Sequence, residues 1–494
     1  MNQQPSKHSQ FDARNISMLM DLYELTMANG YHIGQKESPR SVFDLFYRRI
    51  PDRGGFAIFA GLEQVIDFVE QLHFSAQDIG YLRSLNLFDE QFLDYLSRFR
   101  FSGDIYAFPE GSIIYPNEPV ITVVASLIEA QIIETALLTL VNHQSLIATK
   151  ASRIVRAAQG RPVADMGARR AHNIDAALYG ARAAYIGGVS ATATVLAGQI
   201  FNIPVVGTMA HSWVMVFENE YEAFCQYARI YGDETVLLVD TYNTLASGVP
   251  NAIRTAKEVL EPTGKKLKGI RIDSGDIAYL SKKARKMLNE AGLHETLIMG
   301  SNSLDEWTIT SILAQGGCID SFGVGERLIT AHSDATFGAV YKLVAIEENG
   351  IMIPKIKLSN NLSKTTHPAW KEVYRVYEKR GKAIADLISL KGEAIPAGKE
   401  YPYIYPQKPW EKRSFGADCT MRKMQQQVVR NGKRTLPCKT LVEIRNYVQQ
   451  QLSTEIWQEE QRFENPHVHY LDMSPKYHHC LMTLVREYQK EEEA

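Results

Sequence analysis

The chain has 494 residues, 45% hydrophobic and 22% charged, and a formal net charge of -2. That length exceeds what one hydrophobic core serves, so two or three domains are expected. Lys and Arg are spread along the chain and balanced by Asp and Glu, which argues against nucleic acid or an anionic membrane as main partner and for a small molecule. Met1 to Asn15 is polar and lacks the apolar core of a signal peptide, and the most apolar stretch, Pro119 to Val141, is interrupted by Glu129, Gln131 and Glu134, so no membrane span is expected. The five cysteines (Cys225, Cys318, Cys419, Cys438, Cys480) form no CxxC pair and are odd in number, the usage of a reduced cytoplasmic protein with free thiols.

In chain order, Ile16, Leu19, Met20, Leu22, Tyr23 and Met27 carry helical spacing over residues 16 to 30, ending at Gly30. Ser41 to Ile50 reads as a strand and Phe56 to Leu72 as an amphipathic helix. Helical patterns at Ala76 to Leu85 and Asp89 to Phe99 precede a β-rich stretch, Gly103 to Val124, punctuated by Pro109, Gly111, Pro116 and Pro119. Leu127 to Ala158 is a helix pair. Val340 to Ile346, Met352 to Lys357 and Tyr374 to Tyr377 read as strands, with Asn349-Gly350 where a hairpin wants positive φ. The tail from about Pro402 ends in helices, Leu441 to Leu452 and Tyr477 to Glu493.

Between these lie six short apolar runs that each stop on polar, charged or glycine residues: 163 to 170, 204 to 212, 236 to 241, 269 to 276, 297 to 303 and 321 to 326. Helix-length segments such as Asn251 to Leu260 and Ile277 to Ala291 separate them, the pattern of buried parallel strands alternating with helices in an α/β barrel-like region that runs to about Thr336. In such folds chemistry gathers where the strands end. Here those ends hold arginines, carboxylates, one histidine and two glycine-rich turns, a set suited to an anionic, phosphorylated substrate.

His211 is the one histidine at an expected strand end and follows Gly207-Thr208, a turn able to offer N–H groups to an anion. Taken alone it is more often a structural residue, but Asp240 and Asp273 stand at neighbouring strand ends, and either could orient an imidazole. Arg169, Arg170 and Arg271 can bind carboxylate or phosphate as forks. Arg170 could equally pair with Asp165 or Asp273. Arg271 lies between Ile270 and Ile272, where an unpaired cation is costly, so it should have an anion. Asp273-Ser274-Gly275-Asp276 can offer oxygens to a metal or ribose, while Gly300-Ser301-Asn302-Ser303 and Gly323-Val324-Gly325 can cradle phosphate, although a lone GxG also means merely a tight turn.

Two tempting readings fail. Val236 to Gly248 suggests the diphosphoribosyl strand of doubly wound phosphoribosyltransferases, but the paired acids are missing and only Asp240 is present. The tail combines Cys419, Cys438 and Cys480 with His467, His469, His478 and His479, yet the spacing is irregular and no short Cys pair anchors a zinc loop; surface histidines and buried thiols suffice.

Together the segments Met20 to Met27, Phe43 to Arg49, Phe56 to Leu62, Gly167-Ala168-Arg169-Arg170-Ala171, Gly187-Gly188 with Val195 to Gly198, Gly207-Thr208-Met209-Ala210-His211-Ser212, and Arg271-Ile272-Asp273-Ser274-Gly275-Asp276 resemble the nicotinate phosphoribosyltransferase family, in its order, over residues 16 to about 345. The resemblance implies an α/β fold: an N-terminal α/β sandwich (1-126, completed by strands from 340-400), an incomplete α/β barrel (127-339) and a smaller C-terminal region (340-494), in a homodimer with shared active sites. It implies that nicotinate and 5-phosphoribosyl 1-diphosphate give nicotinate mononucleotide and diphosphate with coupled ATP hydrolysis, Mg²⁺ entering with ATP and 5-phosphoribosyl 1-diphosphate and no cofactor tightly bound. It matches His211 with a phosphorylated histidine, Tyr23 with a residue stacking on the pyridine ring from the partner chain, and Arg169, Thr208, Ser212 and Arg271 with substrate contacts; Gly207 joins them. Gly323, Gly325 and Thr330 match the diphosphoribosyl phosphate region, to which Ser301 and Asn302 are added as N–H donors. Asp240 and Asp273 are the candidates for carboxylate density near the ribose, beside an oxocarbenium-like centre. Relatives that use nicotinamide carry an aspartate where this chain has Ala193 or Thr194, so nicotinate is the expected ring. The rival expectations are a nicotinamide or other pyridine enzyme of the same architecture, and a non-catalytic ligand-binding scaffold.

Overall fold

A computed structural model describes residues 14–35, 39–358, 366–396 and 398–493, with side chains only to 488 in the last helix. The chain forms two compact units, one of residues 1–146 with 336–494 and one of residues 147–335. Among the described residues no helix is long and apolar enough to cross a membrane.

The first unit is built on a seven-stranded sheet in which the inner strand Arg40–Tyr47 is buried at every position after Arg40. It pairs antiparallel with Ile121–Ser126 on one side and with Ala339–Glu348 on the other, so a strand nearly 300 residues away in sequence completes the early sheet. The hairpin from Ala339–Glu348 to Ile351–Pro354 turns on Asn349 and Gly350, both at positive φ (53° and 79°), as the Asn-Gly pair requires. A four-stranded sheet follows, with Lys371–Tyr377 and Ala383–Leu390 at its centre. Arg375 and Asp386 face each other across these two strands in full burial at 2.8 Å. Such a pair is tolerated because Glu118 and His469 close round it.

Two expected elements of this unit differ. The first helix is Leu22–Ile33: Asp21 and Glu24 form a capping box at its start, and the helix runs through Gly30, which a helix interior tolerates at modest cost. Phe56 to Leu72 is not one helix. Ala57–Ile58 is a short strand, and the helix Leu62–Gln71 begins only after Gly61, whose φ of 101° stops any earlier start. A Cβ on Gly61 would stand 2.5 Å from the Leu140 carbonyl oxygen, so the backbone there approaches the helix Glu134–Ala157 too closely for another residue.

The second unit carries a six-stranded, fully parallel sheet in the order Ala191–Thr192, Val163–Asp165, Ser321–Val324, Leu297–Ser301, Gly269–Ile272, Val236–Leu238. Five of these are expected strands. The sixth is Ala191–Thr192, and the expected run from Pro204 instead makes one bridge, Val205 to Thr192, beside it. Pro204 has no N–H and only two valines, both exposed, precede Gly207, so the run is too short and too open to become a ladder strand. Helices of 13 and 14 residues, Ile174–Ile186 and Ile277–Glu290, follow the strand ends and bury Leu178, Ala181, Ile277 and Ala284.

Candidate active site

In the second unit, the residues after the strands converge on Arg271, third in Gly269–Ile272 and only 12% exposed at its side chain. Its place in an apolar strand demands acceptors, and the guanidinium finds three: Nε donates to Ser301 Oγ at 2.8 Å, Nη1 to Thr208 Oγ1 at 3.2 Å and Nη2 to Asp273 Oδ1 at 3.0 Å. The Ser301 hydroxyl donates on to Asp273 Oδ1. Arg271 therefore has its anion in Asp273 and still keeps N–H groups for a ligand.

Asp240, just past Val236–Leu238, takes the Asp273 backbone N–H at 3.1 Å and the Ser274 hydroxyl on one oxygen. Its other oxygen is buried with no hydrogen-bond partner among the described residues. Asp276, fourth in the Asp-Ser-Gly-Asp run, is a helix cap: its carboxylate accepts the Tyr279 N–H at 2.9 Å, while Gly275 turns the chain at φ 77°.

His211 opens the helix His211–Val216. Its Nδ1 lies 3.1 Å from the Thr241 hydroxyl, and its Nε2 lies 3.9 Å from Asp273 Oδ2, beyond hydrogen-bond reach. The expectation that Asp240 or Asp273 holds the imidazole is thus met by neither at hydrogen-bond distance; Thr241 is the residue in contact. Only the fold could reveal it, since a threonine after Asp240 has no sequence signature of its own. Thr208 and His211 follow the segment at one end of the strand series and Thr241 follows the strand at the other, so side chains join ends that no backbone ladder links.

Arg169 lies in the turn Ala168–Arg170 after Val163–Asp165, exposed, with no carboxylate paired to it among the described residues. Arg170 pairs with neither Asp165 nor Asp273 but with Glu326 at 3.8 Å, both exposed. Asp165 is buried; burial raises its carboxyl above the usual range, partly offset by the Thr192 hydroxyl at 2.7 Å and the Gly167 N–H at 2.9 Å. It braces the turn that carries Arg169. Gly207 and Ser212 are exposed, and a Cβ on Gly207 would meet nothing within 4 Å. Asn302 is exposed at φ 93°, whereas Ser301 is buried with its hydroxyl already engaged.

Gly323 and Gly325 sit against Met166, where a Cβ on Gly323 would be 2.7 Å from the Met166 sulfur. Packing therefore accounts for Gly323. The Thr330 hydroxyl donates to the Glu326 carbonyl at 2.8 Å. Tyr23 belongs to the first unit, 44% exposed, in Leu22–Ile33; burial and then Glu134 raise its phenol. Among the tail residues, His469 lies within the buried ion network of the first unit, and no group of three or more metal-binding side chains occurs among the described residues.

The chain as a whole is similar to proteins of named activity. Family models described as the nicotinate phosphoribosyltransferase N-terminal domain, the family itself and the C-terminal domain match residues 18–142, 162–381 and 370–481. The nicotinate phosphoribosyltransferase of Bacillus subtilis (strain 168) is 44% identical over 467 residues, 94% of each chain. That of Caenorhabditis elegans is 33% identical over 94% of this chain and 93% of its own. The crystal structure of human nicotinic acid phosphoribosyltransferase superposes with a TM-score of 0.84 at 27% identity, covering 94% of this chain and 100% of that one. With all three models matched in order along the chain, and with that identity sustained over almost its whole length, this protein is a member of the nicotinate phosphoribosyltransferase family.

Proposed function

We propose that this chain joins nicotinate to 5-phosphoribosyl 1-diphosphate, giving nicotinate mononucleotide and diphosphate, and couples the reaction to ATP hydrolysis through phosphorylation of His211. The observation that carries the reading is the meeting of Arg271, Asp273, Asp240 and His211 around the ends of neighbouring parallel strands. We take the six-stranded sheet as an incomplete α/β barrel and the first unit's sheets as the α/β sandwich.

The pyridine nitrogen attacks the anomeric carbon, the bond to diphosphate breaks, and its electron pair leaves with the diphosphate. Arg271 and Arg169, the latter with no carboxylate beside it among the described residues, supply positive charge for the nicotinate carboxylate and the phosphates. Asp240 and Asp273 place negative charge beside the developing oxocarbenium. Mg²⁺ arrives with the phosphorylated substrates; the unpartnered Asp240 oxygen fits a cation that keeps most of its ligands from phosphate and water, and the ion would neutralise the leaving diphosphate. Ala193 carries a methyl group and Thr194 a hydroxyl, so neither side chain brings a carboxylate there to repel nicotinate or to receive an amide.

The phosphate roles assigned to Ser301, Asn302, Gly323, Gly325 and Thr330, and the contacts of Gly207, Thr208 and Ser212, belong to this reading. So does a homodimer in which Tyr23 of one chain stacks on the ring held by another. Met215 and Val216, 66% and 80% exposed in the His211 helix, are apolar surface for such a partner. Five free cysteines suit the reducing cytoplasm.

Incubation with ATP, Mg²⁺, 5-phosphoribosyl 1-diphosphate and nicotinate, followed by product identification, tests this. Nicotinate mononucleotide, diphosphate, ADP and inorganic phosphate, the last from hydrolysis of the phosphohistidine, are expected. Ligand binding without any nucleotide product would mark a scaffold, and nicotinamide turning over as efficiently as nicotinate would reject the ring assignment.

A further inference from the structure

We infer that Thr241 is the positioning residue for His211: its hydroxyl engages Nδ1 and holds the tilt of the imidazole so that Nε2, not Nδ1, is the nitrogen that takes the phosphoryl group. The inference rests on the reading of His211 as phosphoryl acceptor and adds which atom reacts and what holds it.

Among the described residues, Thr241 Oγ1 is the group within hydrogen-bond distance of the ring, 3.1 Å from Nδ1. The nearest carboxylate oxygen to Nε2, Asp273 Oδ2, is 3.9 Å away, and Asp273 spends its other oxygen on Arg271 and Ser301. Assigning Nδ1–H as the donor and the threonine oxygen as the acceptor leaves Nε2 with its lone pair, on the side of the ring where Asp273 stands. A histidine's reactive nitrogen is set by the bond its other nitrogen makes.

The support beneath Thr241 is rigid. Asp240 is tied to the Asp273 N–H. Two residues after Thr241, Asn243 caps the next turn by accepting the Leu245 and Ala246 N–H groups at 3.2 and 2.8 Å. That turn, Thr244–Gly248, is a π-helical one pressed so closely onto the strand end that a Cβ on Gly248 would be 1.8 Å from the Val239 carbonyl oxygen. The hydroxyl is therefore held from both sides in sequence, as a group that orients a reactive ring must be.

In the step itself the Nε2 lone pair attacks the γ-phosphorus of ATP, the bond to the bridging oxygen breaks, and its electron pair leaves with ADP. The proton stays on Nδ1, where the new positive charge of the ring is shared with the Thr241 oxygen. No further reactant is needed.

The test compares the wild-type protein with Thr241→Val and Thr241→Ser after treatment with MgATP. Phosphorus NMR under alkaline conditions separates the two phosphohistidine isomers, and rapid quench gives the rate of loading. Expected are the Nε2 isomer in wild type and Thr241→Ser, and about tenfold slower loading in Thr241→Val, with phosphate divided between the nitrogens, the scale of one lost hydrogen bond. The KM for nicotinate should stay within about twofold, since the ring of the substrate is held elsewhere. Thr241→Val loading at the wild-type rate and at Nε2 alone would overturn the inference. So would Nδ1-phosphohistidine in the wild type, a result that needs no variant to fold. A wild-type protein that takes no phosphoryl group rejects the reading of His211 itself, and this inference with it.

Discussion

The Asp240 carboxylate accepts the backbone N–H of Asp273 at 3.1 Å, so the ends of two paired parallel strands are fastened before either side chain meets a substrate. One Asp240 oxygen is thereby structural while the other is buried without a partner among the described residues.

Asp240→Asn keeps the shape and one acceptor but removes the charge. If that charge acts in the transition state, kcat should fall by about 10²–10³ with little change in KM, the scale of losing one well-placed electrostatic contact. Steady-state kinetics with nicotinate would show it, and a near-normal kcat would place Asp240 in a purely structural role.

Arg271→Lys preserves the charge but cannot serve Ser301, Thr208 and Asp273 together, because an ammonium lacks the planar fork. The loss of charge-assisted bonds is worth about 1.5–3 kcal/mol, a roughly 10- to 150-fold drop in kcat/KM for nicotinate. The expected signature is a raised KM, read by titration with nicotinate.

Gly248→Ala forces a methyl group into the Val239 carbonyl. Relieving that clash should cost about 1–3 kcal/mol in urea unfolding and displace the turn that follows Thr241, lowering activity even where the chain stays folded. Unchanged stability would mean that the π-helical turn is not held against the strand.

Glu24 sets a pH dependence in the first unit. Burial lifts its carboxyl from 4.5 to about 7, against the pull of the Thr135 hydrogen bond. A folded-state value above the unfolded one means that the folded chain holds the proton more tightly. The stability it contributes is complete below 4.5 and is lost as pH climbs towards 7. Melting temperatures of the wild type should therefore decline across that window relative to Glu24→Gln; parallel profiles would contradict it.

The parallel strands were legible because buried strands are short, apolar and stop abruptly: Val236–Leu238, Gly269–Ile272, Leu297–Ser301 and Ser321–Val324 lie inside the expected runs. Ala191–Thr192 was not, since two residues carry no periodicity. The Phe56 to Leu72 segment misled because Gly61 interrupts it through φ and a close approach to Leu140, which apolar spacing does not encode. In the site, Arg271 announced itself as a cation in an apolar run. Thr241 and the bracing of Asp165 did not, because a hydroxyl or a buried carboxylate gains meaning only from what lies opposite it.

The most direct measurement is ATP-stimulated nicotinate mononucleotide formation by His211→Asn beside the wild type. The account predicts that the variant loses the stimulation and forms no phosphohistidine, while nicotinate still binds. ATP-stimulated synthesis persisting undiminished in the variant would contradict it.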